Sequence, residues 1–343
     1  MRNPRAFRVY LLYTGATSFF FALIFTISAI YRLQAAGLNP LQLVLVGTVL
    51  EVTYFLFNVP LGAIADSRSR KLSVVVGVFL FAAGFVLEGT TPTFAAILAA
   101  QVIEGIAYCM VEGALEAWIT DEVGEENVGS VFLRGSQVGN LAGLLGIGGS
   151  VALASLTLGL PILVGGVLFL GLGIYLVFVM PETAYQRPSR EQGASLGGAL
   201  RDMENTLREG AHVVRRRPLA LTILAIAAIF GGFSEGFDRL WEAHFVQSVG
   251  LPRLGGLDPV VWFGIISAGS SVVGFVSSWI ASRTLNAANP AVAVRALFGL
   301  NTLLIASVVV FALAGNFALA LAAFWGGAMS RNLQGPVYMT WLN

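Results

Sequence analysis

Residues 41–65 form one mostly apolar run that stops at a charged turn, Asp66-Ser-Arg68-Ser-Arg70-Lys71, after which a second apolar run begins at once. As a helix the first run is about 37 Å long. A bilayer's hydrocarbon core is roughly 30 Å thick, so the run crosses it with some tilt. The turn is too short for a domain and too charged to enter lipid. The pair therefore reads as a hairpin whose bend lies on the membrane surface.

The pattern repeats along the chain. Hydrophobic residues make up 56% of the sequence and charged residues 11%, with a mean hydropathy of +0.79; a soluble domain carries about 25% charged residues. This is the composition of an all-α, polytopic membrane protein. The first run begins too early and continues too long for a cleaved signal peptide. Ten spans are expected, at 8–32, 41–65, 72–89, 93–118, 128–156, 158–181, 218–247, 257–283, 291–314 and 316–343. Arg2, Arg5, Arg8, Arg68, Arg70 and Lys71 fall on one side, with Arg187, Arg190, Arg201, Arg208, Arg215, Arg216, Arg217, Arg283 and Arg295; Arg32 and Arg253 fall on the other. The excess marks the cytoplasmic side and places the amino terminus there, in a cell membrane.

Residues 182–217 form the one long loop. Leu196, Leu200, Met203, Leu207, Ala211 and Val214 recur at helical spacing among charges, which reads as an amphipathic helix on the inner membrane face. It divides the chain into 1–181, the linker 182–217, and 218–343. Internal repetition agrees with that division. Gln34-Ala-Ala-Gly37-Leu38 recurs as Gln247-Ser-Val-Gly250-Leu251. Gln101, Glu104, Gly105 and Tyr108 have the spacing of Arg331, Gln334, Gly335 and Tyr338.

The hairpin turn resembles the loop between helices 2 and 3 of the major facilitator superfamily. Gly62, Asp66, Arg70 and Lys71 fit the family pattern, whereas Ser67 stands for a basic residue and Ser69 for a glycine. Met180-Pro-Glu182-Thr resembles the family's stop after helix 6. Gln101-x-x-Glu104-Gly105 and Arg331-x-x-Gln334-Gly335 are similar to its helix 4 pattern, with the arginine only in the second copy. The resemblance implies two pseudo-symmetric six-helix bundles, so a helix pair is expected beyond the ten spans counted. It also implies alternating access to a cavity lined by helices 1, 4, 7 and 10, with Glu104 facing Arg331. Gly62, Asp66, Arg70, Lys71, Glu116 and Asp121 would then form the inner gating loop and its charge network, together with Arg134.

On a continuous fourth helix, Gln101, Glu104, Tyr108, Glu112 and Glu116 fall within an arc of about 120°. Each ionised acid near the bilayer centre costs about 2.5–3.5 kcal/mol on insertion scales. The stripe must therefore face water, a cation or protein. Glu51, midway along the second span, joins Glu104 and Glu112 as a candidate proton carrier. Thr14, Ser18 and Phe25 lie on one face of the first span. In the seventh, Gly231, Gly232 and Gly236 interrupt the outer half ahead of Asp238, Trp241, Glu242 and His244, and Glu235 can pair with Arg239. The cavity set is thus Thr14, Ser18, Phe25, Gln101, Glu104, Tyr108, Asp238, Trp241, Arg331, Gln334 and Tyr338. Gly135, Gly139 and Gly143 in the fifth span resemble the glycine-rich helix 5 of drug–proton antiporters, though Asn140 stands where a proline is expected; close packing against the eighth span explains them equally well.

Other chemistries lack residues. His212 and His244 are far apart with no metal-ligand spacing, so neither a metal nor a cofactor is expected. There is no phosphate loop and no Gly-x-Ser-x-Gly elbow. A net charge of +1 gives nucleic-acid binding no support. Cys109 has no disulfide partner and reads as a packing residue. The expected activity is proton-coupled export of an amphipathic compound by a monomer in lipid, or else uptake of a small nutrient. An integral-membrane enzyme or a channel fits less well. The orientation has a direct check: in a Cys109→Ala background, Arg190→Cys should react with a membrane-impermeant maleimide only from the cytoplasmic side.

Overall fold

The structure is a computed structural model describing residues 3–184, 208, 218–252, 259–284 and 290–342. Within these, side chains are described except at 63–68, 218–220, 222–224, 226–227, 278–279, 281–284, 290–294 and 335–342. Asp66 and Tyr338 thus lie outside the described side chains. Most of the expected amphipathic helix, at 185–207 and 209–217, lies outside the described residues.

Long helices account for the described chain. They are α1 (Pro4–Phe25), continued by a short α2 (Ser28–Ile30) and a π turn (Tyr31–Ala35), then α3 (Pro40–Arg68), α4 (Arg70–Thr90), α5 (Phe94–Val111) with α6 (Ala114–Val123), α7 (Glu125–Ala154) and α8 (Leu160–Val179). After the linker come α9 (Pro218–His244) with a π turn (Phe245–Val249), α10 (Pro259–Thr284), α11 (Pro290–Leu313) and α12 (Phe317–Leu342). Eight spans within these are long and apolar enough to cross a membrane among the described residues.

Local signals set the helix starts. The Asn39 side chain accepts from the Gln42 N–H while the Gln42 side chain accepts from the Asn39 N–H, with Pro40 at the first position, a complete capping box for α3. Ser69 sits in extended backbone between α3 and α4 and caps α4 by accepting from the Leu72 N–H at 3.0 Å. The serine that departs from the family's glycine therefore has a local role.

The chain divides into two compact units, 1–240 and 241–343. In the first, α1 packs along α7, and α4 lies between α5 and α8. Glycines allow the close approaches. A Cβ on Gly146 would lie 2.5 Å from the Phe19 carbonyl oxygen of α1, and one on Gly166 would lie 2.8 Å from the Val86 backbone nitrogen of α4. Gly135 and Gly139 face Tyr10, Thr14 and Ser18. The glycine stripe of the fifth span is thus used against α1. In the second unit an aromatic cluster of Trp241, Phe245, Phe263, Phe311 and Phe324 forms the core. Gly269 there makes room for the Trp325 ring.

Two helices differ from the sequence expectation. The glycines at 231, 232 and 236 leave α9 continuous. The fourth span is broken instead. Glu112 is extended, and Gly113 has φ +68°, a conformation open to glycine at little cost. Gly146→Val should cost about 1–3 kcal/mol through overpacking, while Gly143→Ala, which meets open space, should lose nothing. Thermal unfolding of the purified protein in detergent compares the two.

Candidate functional site

The break divides the expected acidic stripe into two environments. Gln101 and Glu104 on α5 are both about 1% exposed. Glu112 and Glu116 lie beyond the break and are exposed. They no longer continue the upper stripe, because the backbone between them and Tyr108 leaves the helical path.

The buried pair belongs to a cluster that the sequence reading did not assemble. Arg32, counted there as an outer-loop residue, is only 5% exposed. Its Nε donates to Glu88 Oε1 at 2.8 Å and its Nη2 to Glu88 Oε2 at 3.1 Å. The Gln101 amide donates to Glu88 Oε2 at 3.2 Å and to Glu104 Oε2 at 3.0 Å. The Tyr31 hydroxyl donates to the Glu88 carbonyl at 2.5 Å. Glu104 Oε1 is buried without a hydrogen-bond partner. Gly84 makes the space, since a Cβ there would lie 2.8 Å from Glu104 Cγ.

Aromatic rings adjoin this cluster. Phe21 stacks on Phe25 and on Tyr108, and meets Phe81, Phe85 and Phe169 from α4 and α8. Phe25 is 40% exposed at the edge of the group. Thr14 and Ser18 turn toward Gly139. Cys109 is buried and its thiol donates to the Tyr54 carbonyl at 3.4 Å. On α9, Arg239 Nε donates to Glu235 Oε1 at 2.7 Å, and this pair sits against Gly47 of α3. Asp238 is exposed and accepts from Ser234 at 3.3 Å. In the second unit, Trp241 packs 4.5 Å from the Phe324 ring, and Gln334 donates to Asn301 Oδ1 at 3.4 Å. Arg331 is half-buried in the same unit.

Below the break lies a cavity of about 430 Å³ lined by Tyr54, Asn58, Gly62, Glu112, Glu116 and Ala117, among others. The Tyr54 hydroxyl donates to Glu112 Oε2, and the Asn58 amide donates to that hydroxyl at 3.2 Å. Glu51 lies on an exposed face of the same helix, α3.

At the helix ends on the same side as the start of α1, Arg70 donates to Asp121 and to the Ala117 carbonyl, the latter at 2.8 Å. Lys71 Nζ donates to the Val177 carbonyl at 2.9 Å. Arg134 lies over the Phe7 ring at 5.7 Å. The segment after α8 completes the assembly. Glu182 accepts from the Ser69 hydroxyl at 2.7 Å and from the Lys71 N–H at 2.9 Å, placing negative charge at the start of α4. Glu122, 2% exposed, accepts from the Thr183 N–H at 2.5 Å, the Thr183 hydroxyl at 2.7 Å, the Ala184 N–H at 3.0 Å and the Asn3 amide at 2.6 Å. The Trp118 indole donates to the Pro181 carbonyl at 2.6 Å. Glu122 was not singled out in the sequence; its one available signal was its place near a helix end with no cation in reach.

The model of the Major Facilitator Superfamily matches residues 9–342. The chain belongs to that superfamily. It is 23% identical over 211 residues to an uncharacterized MFS-type transporter, YxaM, of Bacillus subtilis strain 168. That match covers 61% of this chain and 51% of the relative, so the chain spans about half the length of the curated relative it resembles. The nucleoside transporter NupG, as a D323A mutant, superposes with a TM-score of 0.67 at 14% identity, covering 97% of this chain and 81% of NupG. The human organic anion transporter MFSD10 gives 0.61 at 17% identity, covering 98% of this chain and 84% of its own. These neighbours share the fold. The family match and the membrane-crossing helices together make this a multi-pass membrane protein of the superfamily.

The Glu122 hub should be sensitive to loss of its acceptors. Glu122→Leu leaves four donors unmatched, and hydrogen bonds to a charged group contribute about 1.5–3 kcal/mol each. The thermal midpoint should fall sharply, and Glu122→Gln, which keeps one acceptor oxygen, should fall less.

Proposed function

We propose that this protein is a secondary transporter that moves a small amphipathic molecule by alternating access, driven by protons and in the direction of export. The observation that carries the reading is Glu104, a carboxyl closed off inside the first unit with one oxygen lacking a partner. A permanently charged acid in that position is costly in hydrocarbon. An acid that binds and releases a proton as the fold changes state turns the same position into a coupling device. Glu51 and Glu112 are the further candidate carriers.

The cavity beside the helix break supports a small-molecule path. Its volume suits a compact organic compound, and the carboxylates of Glu112 and Glu116 on its wall favour one with cationic character. Thr14, Ser18, Phe25, Tyr108, Asp238, Trp241, Arg331, Gln334 and Tyr338 are proposed to line the remainder of the path. Gly62, Asp66, Arg70, Lys71, Glu116 and Asp121 are proposed as the inner gate, and the contacts of Arg70 to Asp121 and to the Ala117 carbonyl support that role. The proposed setting is the cell membrane with a cytoplasmic amino terminus, and the working unit is a monomer. Uptake of a nucleoside-like or peptide-like nutrient is the second reading, favoured by the transporters that share the fold.

The test uses proteoliposomes with an imposed pH gradient and ethidium as the amphipathic probe. Wild type should accumulate the dye against its gradient, and Glu104→Gln should lose at least about 90% of the pH-driven component while remaining folded. Full pH dependence retained in both Glu104→Gln and Glu51→Gln would remove proton coupling through these acids. Dye exclusion combined with nucleoside or peptide uptake would favour the second reading.

A further inference from the structure

Four polar side chains share one enclosed space in the upper part of the first unit, and their charges do not balance. Arg32 supplies one positive charge. Glu88 and Glu104 supply two carboxyls, and Gln101 is neutral. The donors are divided unequally. Glu88 receives both Arg32 bonds and one from Gln101, so its two oxygens are matched. Glu104 receives a single bond from Gln101, and Oε1 receives none. All four residues are at least nine-tenths buried. Glycine at position 84 leaves the hollow that the Glu104 side chain fills.

We propose that Arg32, Glu88, Gln101 and Glu104 form a site for a single proton, carried on Glu104 and set by the ion pair between Arg32 and Glu88. The ion pair neutralises itself. One proton on Glu104 then brings the enclosed group to zero net charge, the only total that hydrocarbon and packed protein accept at low cost. Gln101 bridges the two carboxyls and holds them apart as one ionised and one neutral acid. A metal cation fits this arrangement poorly, because the guanidinium and the amide N–H groups already point at the oxygens it would need. The other groups that act on Glu104 do not alter this balance. Tyr108 lies one turn along α5 and interacts with Tyr13 of α1, and a phenol carries no charge near neutral pH. Arg239 of α9 acts on it least, and its charge is offset by Glu235. Arg32 and Glu88 are therefore positioning residues: they decide whether Glu104 holds its proton.

The inference deepens the proton-coupled reading and rests on it for its biological meaning, but its readout needs no substrate. Infrared difference spectra of the purified protein in lipid nanodiscs at neutral pH report the C=O stretch of protonated carboxyls. Wild type minus Glu104→Gln should show one buried-acid band. Glu88→Gln should also lack it, because the Arg32 charge, no longer offset by Glu88, then favours the ionised form of Glu104. Arg32→Gln should show two, since neither acid has a counter-charge. Glu104→Asp preserves the charge count and should shift the band without removing it, which assigns it to this position. A Glu88→Gln spectrum with the wild-type band, or a wild type without any such band, overturns the proposal. If the glutamine variants do not fold, the wild-type and Glu104→Asp spectra decide alone, by presence and shift or by absence. Bands of the expected number with transport indifferent to pH would defeat the coupling reading and leave the proton site standing.

Discussion

A guanidinium enclosed among helices is tolerated in a lipid setting only when a carboxylate meets it edge on. Arg32 and Glu88 do this with two bonds between the π turn that follows α2 and the end of α4. Taking two ions out of water costs several kcal/mol each, and the pair recovers that only through close, well-directed contacts. The arrangement around it follows from this requirement. Gln101 is turned to serve both acids, Tyr31 ties α4 to the segment after α1, and Gly84 opens the space for Glu104.

The remainder of the first unit supports that enclosed group through close helix approach. Between helices in lipid the gain comes from packing and hydrogen bonds, because apolar side chains are equally comfortable against acyl chains. Glycines on α7 and α8 bring these helices against α1 and α4. At their other ends, acidic side chains are satisfied by the start of α4, by Asn3 and by the segment after α8. Glu182 serves α4, and Glu122 gathers donors from residues 3, 183 and 184. The break at Glu112–Gly113 lies between these two regions. The helix α5–α6 is therefore two rods, one bound to the enclosed acids and one to the charge network with Arg70, with a cavity where they separate.

How far the residues spoke for themselves varies along the chain. Apolar runs and arginine-rich turns made the helices and their approximate ends legible. The hairpin residues Gly62, Arg70 and Lys71 and the Pro-Glu-Thr segment made the family legible. Glu104 stood out because an acid in an apolar run has few explanations. Glu88 and Arg32 did not, since each lies near the end of a span, where charge normally meets water. The break in the fourth helix was also hidden: Glu112-Gly113 is as compatible with a continuous helix as the three glycines of α9, which proved continuous.

By itself the sequence determined the solvent, the class of structure and the approximate spans, because hydrocarbon permits few ways to satisfy a backbone and the composition alone declares it. Only the tertiary structure decided which charges meet. Glu88 lies 56 residues from Arg32, and Glu122 lies 61 residues from Thr183. Separations of that size are closed by helix packing, whose register depends on glycine contacts between helices that no local spacing records.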